Sequence, residues 1–475
     1  MRGRASVLWV AACFAMLLPM CGFAPDPPQK VGADLIVTVA PVYEPLAALR
    51  GQERFPKGAQ LQLVHEGEAE PLVSGFAASA DANVSFDGKT VLFAGKQAAG
   101  DPWQIWELTV ADRSVRKVTA TATDAVRPLY LPGWRMVFAQ RTPKGFQMES
   151  AQSGLPPVFA HSVPTAIPER LTLTHMQGSA LPVDVLMDGR ILFEAGFPIG
   201  SGSTPELYLV YSDGSGVESY RCDHGAARWG GKQLASGDVV FTHGVASARF
   251  TTTLAHEERI AAPQAEYAGD LAETAAGAWL VSTRAAAGTF YEIKLWKPGS
   301  AAMETVLAKS GENLVEPVLL APRTRPKEHP SALHPWDCAN LLALDARFSR
   351  DGELRGTPAS VRLETQDAAG HAVALGTAPV EQDGSFFVKA PGNKPIRFAV
   401  LDAKGAVLRQ EHGRFWSRGG EQRICVGCHT GPERAQENRV AAVLLRTTTP
   451  VDLTGASIFH QAQTGSAQQT AQGGR

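Results

Sequence analysis

An excess of charge of either sign is the first thing missing. The chain carries 45 Lys and Arg against 47 Asp and Glu over 475 residues, a net charge of −2. Such a balance sets up no global field for nucleic acid or an anionic membrane, so neither is an expected partner. Cysteine is scarce: Cys13, Cys21, Cys222, Cys338, Cys425 and Cys428 are all there are, too few for a disulfide-built scaffold of this length. The signatures of the common hydrolases and nucleotide enzymes are absent as well. There is no G-x-S-x-G elbow, phosphate loop, H-E-x-x-H or dinucleotide fingerprint. What is plentiful is Gly (46) and Pro (32), which makes the chain turn-rich and suits all-β architecture with many short strands.

The start of the chain reads as an export signal over residues 1–24. Arg2 and Arg4 give a positive n-region, and Ser6 to Met20 an apolar stretch too short for a stable anchor. Leu18-Pro19-Met20-Cys21 has the outline of a lipoprotein site, which makes Cys21 a candidate for lipidation, although Met20 is large where a small residue is usual. The alternative is cleavage after Ala24, where Pro25 obstructs the bond. Both place the protein in the periplasm or on the outer side of a bacterial envelope. A lipid anchor or a partner is then the only expected link to a membrane.

Near the other end stands Cys425-Val426-Gly427-Cys428-His429. C-x-x-C-H is the attachment motif of c-type haem: two thiols add to the vinyl groups, and the histidine lies under the iron. A zinc pair and a thiol/disulfide couple are the alternatives. Haem attachment outside the inner membrane agrees with the export signal. No methionine follows Met303, so a His/Met electron carrier built within this segment is disfavoured. An iron with one strong protein ligand is open to a small molecule. Arg414, Arg418, Arg423, Arg434 and Arg439 crowd the motif, and guanidinium groups grip carboxylates bidentately. Arg423 and Arg434 are the candidates for the haem propionates. Phe415 and Trp416 are candidates for the porphyrin face, with plain core as the alternative. Cys222 and Cys338 remain as a possible disulfide.

Between these ends a hairpin recurs. Phe86-Asp87-Gly88-Lys89-Thr90-Val91-Leu92-Phe93 returns around Gly133, Gly189, Gly237 and, more weakly, Gly277. Spacing of this order fits four-stranded propeller blades, each x-Gly turn leading into an apolar inner strand. Five blades are visible. A sixth needs N-terminal strands, Ala33 to Ala40 and Gln60 to His65, paired with Val315 to Leu320. The propeller is thus expected over 30–325, with Pro322 to Pro335 a proline-rich extended linker. A small β-sandwich follows over 326–412, then a haem segment over 413–446 on a loop, and a disordered tail over 462–475.

The D-G hairpins resemble the six-bladed TolB-like propeller. The haem segment Cys425 to Val440, preceded by this sandwich and propeller, resembles the hydrazine synthase alpha-subunit family, in particular relatives carrying that subunit's middle domain. The resemblance does not carry the reaction across: that enzyme is a multi-subunit, multi-haem complex, and this chain has one C-x-x-C-H. It does imply a rearranged site. In the family the motif histidine leaves the iron and binds zinc with a propeller cysteine, while a tyrosine four residues on takes the iron. Here Glu433 stands at that tyrosine's place, and Cys222-Asp223-His224 offers two zinc donors beside His429. Three functional readings follow: a haem electron carrier with a redox partner protein docked on the propeller, a haem enzyme acting on a small inorganic nitrogen or oxygen species, and an interaction or sensor module with structural haem.

Overall fold

The computed structural model describes residues 31–152, 170–196, 204–221, 227–252, 255–349, 352, 354–367, 370–411, 413–427 and 440–455. These residues form eight four-stranded sheets, six from the first two thirds of the chain and two from the last third. Among them no helix is long and apolar enough to cross a membrane.

The six sheets, I to VI, are antiparallel meanders. Their innermost strands are Asn313–Leu319 (I), Ala78–Val84 (II), Ala125–Leu131 (III), Ala180–Val185 (IV), Arg228–Gln233 (V) and Glu266–Glu273 (VI). Each inner strand contacts the next, and that of sheet VI contacts that of sheet I, the arrangement of a β-propeller. Sheet I is built from both ends of the segment: Leu35–Ala40 lies between Gln60–His65 and Asn313–Leu319, with Leu35 opposite Leu319 and Ala40 opposite Asn313.

The repeated glycines sit between the first and second strand of sheets II to VI, all with positive φ, 75° at Gly88 and 93° at Gly189. The apolar run after each glycine is therefore the second strand and not the innermost one. Thr90–Lys96, Ile191–Ala195 and Trp279–Arg284 are buried along almost their whole length between neighbouring sheets. Every innermost strand is broken by a bulge, and three of the bulges carry a buried charged residue, Glu316, Asp81 and Arg127.

The proline-rich stretch is extended, as its composition demands, yet it is a strap and not a free linker. Arg323 N donates to Phe86 O at 3.0 Å, Lys327 N to Met187 O at 3.1 Å, and His329 stacks on Tyr211 at 3.9 Å. The hairpin glycines make room for it. A Cβ on Gly88 would lie 2.9 Å from Pro322 N, and one on Gly189 2.5 Å from Lys327 O.

The last two sheets pack face to face. One orders Gln422–Gly427, Cys338–Asp345, Phe386–Pro391 and Val451–Asp452; the other Ala372–Pro379, Ser360–Gln366, Arg397–Leu401 and Val407–Gln410. Leu341, Val361, Leu363, Phe386, Val388, Phe398 and Val400 fill the space between them. Gln422–Gly427 is an edge strand of the sandwich, paired in parallel with Cys338–Asp345, so Cys425 stands on a strand and not on a loop. Its alternation explains this: Arg423 and Cys425 turn inward, while Gln422 and Ile424 are exposed.

Candidate functional site

The candidate site is the seam where the sandwich edge leading to Cys425 meets the outer hairpin of sheet IV. Tyr211 to Val217 forms that hairpin, with Asp213 Oδ1 accepting Ser215 N at 3.0 Å to fix the turn. Three residues of the sandwich meet it in order. The Arg418 side chain packs over Gly214. Gly216 N donates to Glu421 Oε1 at 3.2 Å, and Arg423 Nη2 donates to Val217 O at 2.7 Å. Both segments ascend in number along this ladder. Arg418 N closes the turn on its own side by donating to Glu421 Oε2 at 2.7 Å.

Trp416 anchors the seam. It is 2 % exposed and packs among Leu131, Val137, Met148, Leu171 and Leu173 of the propeller. Phe415 points the other way, 6.0 Å from Phe398 in the sandwich core. Both aromatics therefore pack as core in this structure, Trp416 fully and Phe415 in part. His175 meets the Trp416 ring edge-on at 6.2 Å. Burial, assisted by the Arg418 charge, pushes His175 down to about 4, so it is neutral at pH 7. His175 Nε2, Trp416 Nε1 and Ser417 Oγ are buried and, among the described residues, without hydrogen-bond partners, which makes the seam polar inside.

Cys425 borders the sandwich core and is unpaired among the described residues. Burial pushes its thiol up; Arg423, through charge and a hydrogen bond, opposes this, and Glu411 adds to it. The group is a protonated thiol at neutral pH. Glu411 is raised to about 7 by burial of its carboxyl, in spite of the 2.7 Å bond it accepts from Phe398 N. Arg423 lies over the Phe415 ring at 5.2 Å, and its Nη1, 4.0 Å from Glu421 Oε1, makes no hydrogen bond among the described residues. That spare donor suits a carboxylate, so the residues present fit the haem expected here: a free thiol, and a guanidinium with capacity for a propionate.

Of the remaining sequence candidates, Cys428, His429, Glu433, Arg434, Cys222, His224 and Cys21 lie outside the described residues. So does one half of the possible disulfide; Cys338 is buried and unpaired among the described residues. Within that set no three His, Cys, Asp or Glu side chains converge to hold a metal. Sequence reasoning missed Glu411, Glu421, Asp213 and His175. Only Glu421 had a signal, standing just after the Gly419-Gly420 turn beside Arg423.

With this geometry in place, comparisons become informative. Residues 349–430 match the family model described as hydrazine synthase alpha subunit middle domain. This segment is related to that subunit. The match spans the sandwich side of the seam, Trp416 to Arg423, and Cys425 to His429. Among solved structures, hydrazine synthase of Kuenenia stuttgartiensis superposes with a TM-score of 0.75 at 16% identity, over 87% of this chain and 71% of that one. At that identity the likeness is one of fold, and it takes in propeller and sandwich together. TolB from Acinetobacter baumannii is similar at a TM-score of 0.44 and 12% identity, over 61% of this chain and 67% of that one. A comparison with curated proteins finds no match.

Proposed function

We propose that this protein is an exported, monohaem c-type member of the group around the hydrazine synthase alpha subunit, passing electrons to or from a partner docked on the propeller. The six inner sheets are read as a closed six-bladed TolB-like ring, a reading supported by the contacts that run from each inner strand to the next. Cys425 and Cys428 carry the haem, and Arg423, with Arg434, holds its propionates. A haem bound there supplies a one-electron iron centre, and the chain's own part is to fix that centre against the propeller seam.

The observation that carries this reading is the presentation of Cys425. It is an unpaired, protonated thiol at the end of an edge strand clamped to sheet IV through Arg423 and Glu421. Thioether formation needs a free thiol, and Cys425 is in no disulfide among the described residues. The ladder also supports a zinc site. The sandwich segment ascending from Arg418 leads toward His429, as the hairpin ascending from Gly214 leads toward Cys222 and His224. His429 binding zinc with those two residues leaves Glu433 as a ligand for the iron.

A haem enzyme acting on a small nitrogen or oxygen species is the second reading, favoured by the lack of any methionine after Met303 to complete the iron. Optical spectra of the oxidised and reduced holoprotein separate the two. A low-spin, six-coordinate spectrum is expected for the electron carrier. A high-spin spectrum that responds to CO or NO overturns it in favour of the enzyme or a sensor. Elemental analysis should give about one zinc per haem, lost in Cys222→Ser; haem without zinc removes the zinc site and leaves the haem reading intact.

A further inference from the structure

The bulges of the inner strands place a second constellation on the propeller axis, remote in sequence from the seam. Asp81, Arg127 and Glu316 occupy three of those bulges with φ of 61°, 51° and 57°, a conformation that side-chain-bearing residues seldom adopt. All three are buried. Charged residues held in strained backbone on an axis indicate that something outweighs the cost of placing them there.

The carboxylates follow a common rule. Glu316 Oε2 of sheet I accepts Asp81 N of sheet II at 3.0 Å, and Asp81 Oδ2 accepts Arg127 N of sheet III at 2.9 Å. Glu194 Oε2 of sheet IV accepts Gly230 N of sheet V at 2.9 Å. Two cations answer these groups: Arg54 pairs with Asp81 and with Glu316, and Arg127 Nη1 lies 3.2 Å from Glu194 Oε1.

Asp270 of sheet VI breaks the rule. Its Oδ2 is buried and has no hydrogen-bond partner among the described residues. Tyr43 is the other exception. It is 6 % exposed, its ring is stacked on Phe55 at 5.4 Å and meets Tyr291 edge-on at 5.8 Å, and its hydroxyl has no hydrogen-bond partner among the described residues. The largest charge acting on that hydroxyl is Asp270, followed by Arg54, Glu316 and Arg127, so it faces the same constellation. Four carboxylates thus stand against two guanidiniums. Glu194 Oε1 makes no hydrogen bond but has the Arg127 guanidinium beside it, which leaves Asp270 Oδ2 and the Tyr43 hydroxyl as the oxygens of this group with neither a hydrogen bond nor an ion pair among the described residues.

We propose that the propeller axis binds one small monovalent cation, an alkali-metal ion or ammonium, through Asp270 Oδ2 and the Tyr43 hydroxyl. The unmatched charge is negative and the vacant ligands are hard oxygens, which excludes an anion. A calcium- or zinc-like site requires more anionic or imidazole donors around one point than these residues bring together. A single positive charge shared with a neutral phenol halves the deficit and fits the donor set. Burial drives Asp270 toward its protonated form, and a bound cation opposes that, so site and ion stabilise each other.

The test uses the full chain, with unfolding midpoints measured at equal ionic strength in sodium, potassium, ammonium and choline chloride. One of the small cations should raise the midpoint over choline by on the order of 2 °C, saturably, and the gain should vanish in Asp270→Asn and in Tyr43→Phe. Equal midpoints in all four salts, or a gain retained in Asp270→Asn, overturns the proposal and leaves a bridging water at the axis. Should the variants not fold, crystals soaked in thallium(I) or rubidium decide it. An anomalous peak at Asp270 and Tyr43 supports the site, and its absence there overturns it.

Discussion

Arg54 and Glu316, 262 positions apart, meet with Arg54 Nη1 donating to Glu316 Oε1 at 2.6 Å inside the propeller. Arg54 also pairs with Asp81, so one guanidinium joins the N-terminal segment to sheets I and II. Removing one partner strands buried charge, which is worse than removing the pair. Arg54→Ala should lower stability by about 3–5 kcal/mol in urea unfolding. Arg54→Met with Glu316→Gln should recover a good part of that loss. Equal losses in the single and double variants would show that the pair is not a unit.

Trp416 is the sandwich's anchor in the propeller, and its truncation tests the seam. Trp416→Ala should cost about 3–5 kcal/mol by vacating a packed site. Because the strap over residues 322–335 crosses sheets whose packing Trp416 completes, its amides should exchange faster in the variant. Slow exchange of the strap with an unchanged urea midpoint would mean that the indole is dispensable.

Two groups give opposite pH dependences in the same window. His175 is pulled below its ordinary value, so the unfolded chain binds its proton more readily and stability is lost as pH falls from about 6.5 toward 4. Glu411 is pushed up to about 7, so the folded chain holds its proton more readily, and stability is lost as pH rises from about 4.5 through 7. His175→Gln should therefore narrow its deficit against the parent as the buffer is made acidic. Glu411→Gln should do so as the buffer is made alkaline. Urea midpoints between pH 4 and 8 measure both, and parallel curves would refute the assigned causes.

Cys425 and Cys428 are expected to hold the haem covalently. Protein matured with the attachment machinery should keep its colour through acidic, denaturing extraction, and Cys425→Ser with Cys428→Ser should abolish it. Arg423→Ala should leave attachment intact while loosening the edge strand from Val217 O. A colourless parent protein would remove the haem reading altogether.

Much of this architecture could be read from local pattern. The hairpins around Gly88, Gly133, Gly189, Gly237 and Gly277 declare themselves because a positive-φ turn followed by a doubly buried strand leaves a periodic trace. Strands at Ser360–Gln366 and Arg397–Leu401 show the same clarity. Ala372–Pro379 does not: its side chains are mostly exposed, and Gly376 interrupts it with a φ of 152°. Gln422–Gly427 was hidden by its motif, since C-x-x-C-H suggests a loop, and a parallel partner 82 residues earlier leaves no mark in sequence. The axial charges were illegible for a like reason. Nothing near Asp81 hints that its partners are Arg54 and Arg127, because contacts between different sheets, and not the sequence neighbourhood, bring them together.

The interleaving of Leu35–Ala40 between Gln60–His65 and Asn313–Leu319 sets a timetable. Thr38 donates to Glu316, 278 positions on, so the first sheet stays without its inner neighbour until that much chain has been made. At ordinary rates of synthesis the wait is on the order of 15–55 s. Throughout it Leu35–Ala40 offers an unpaired, apolar edge to whatever is near. The strap is the next segment to emerge after Leu319, so the last act of closure is followed at once by the segment that crosses it. A chain cut short before Asn313 would have neither, and its first sheet would persist as an open template for aggregation.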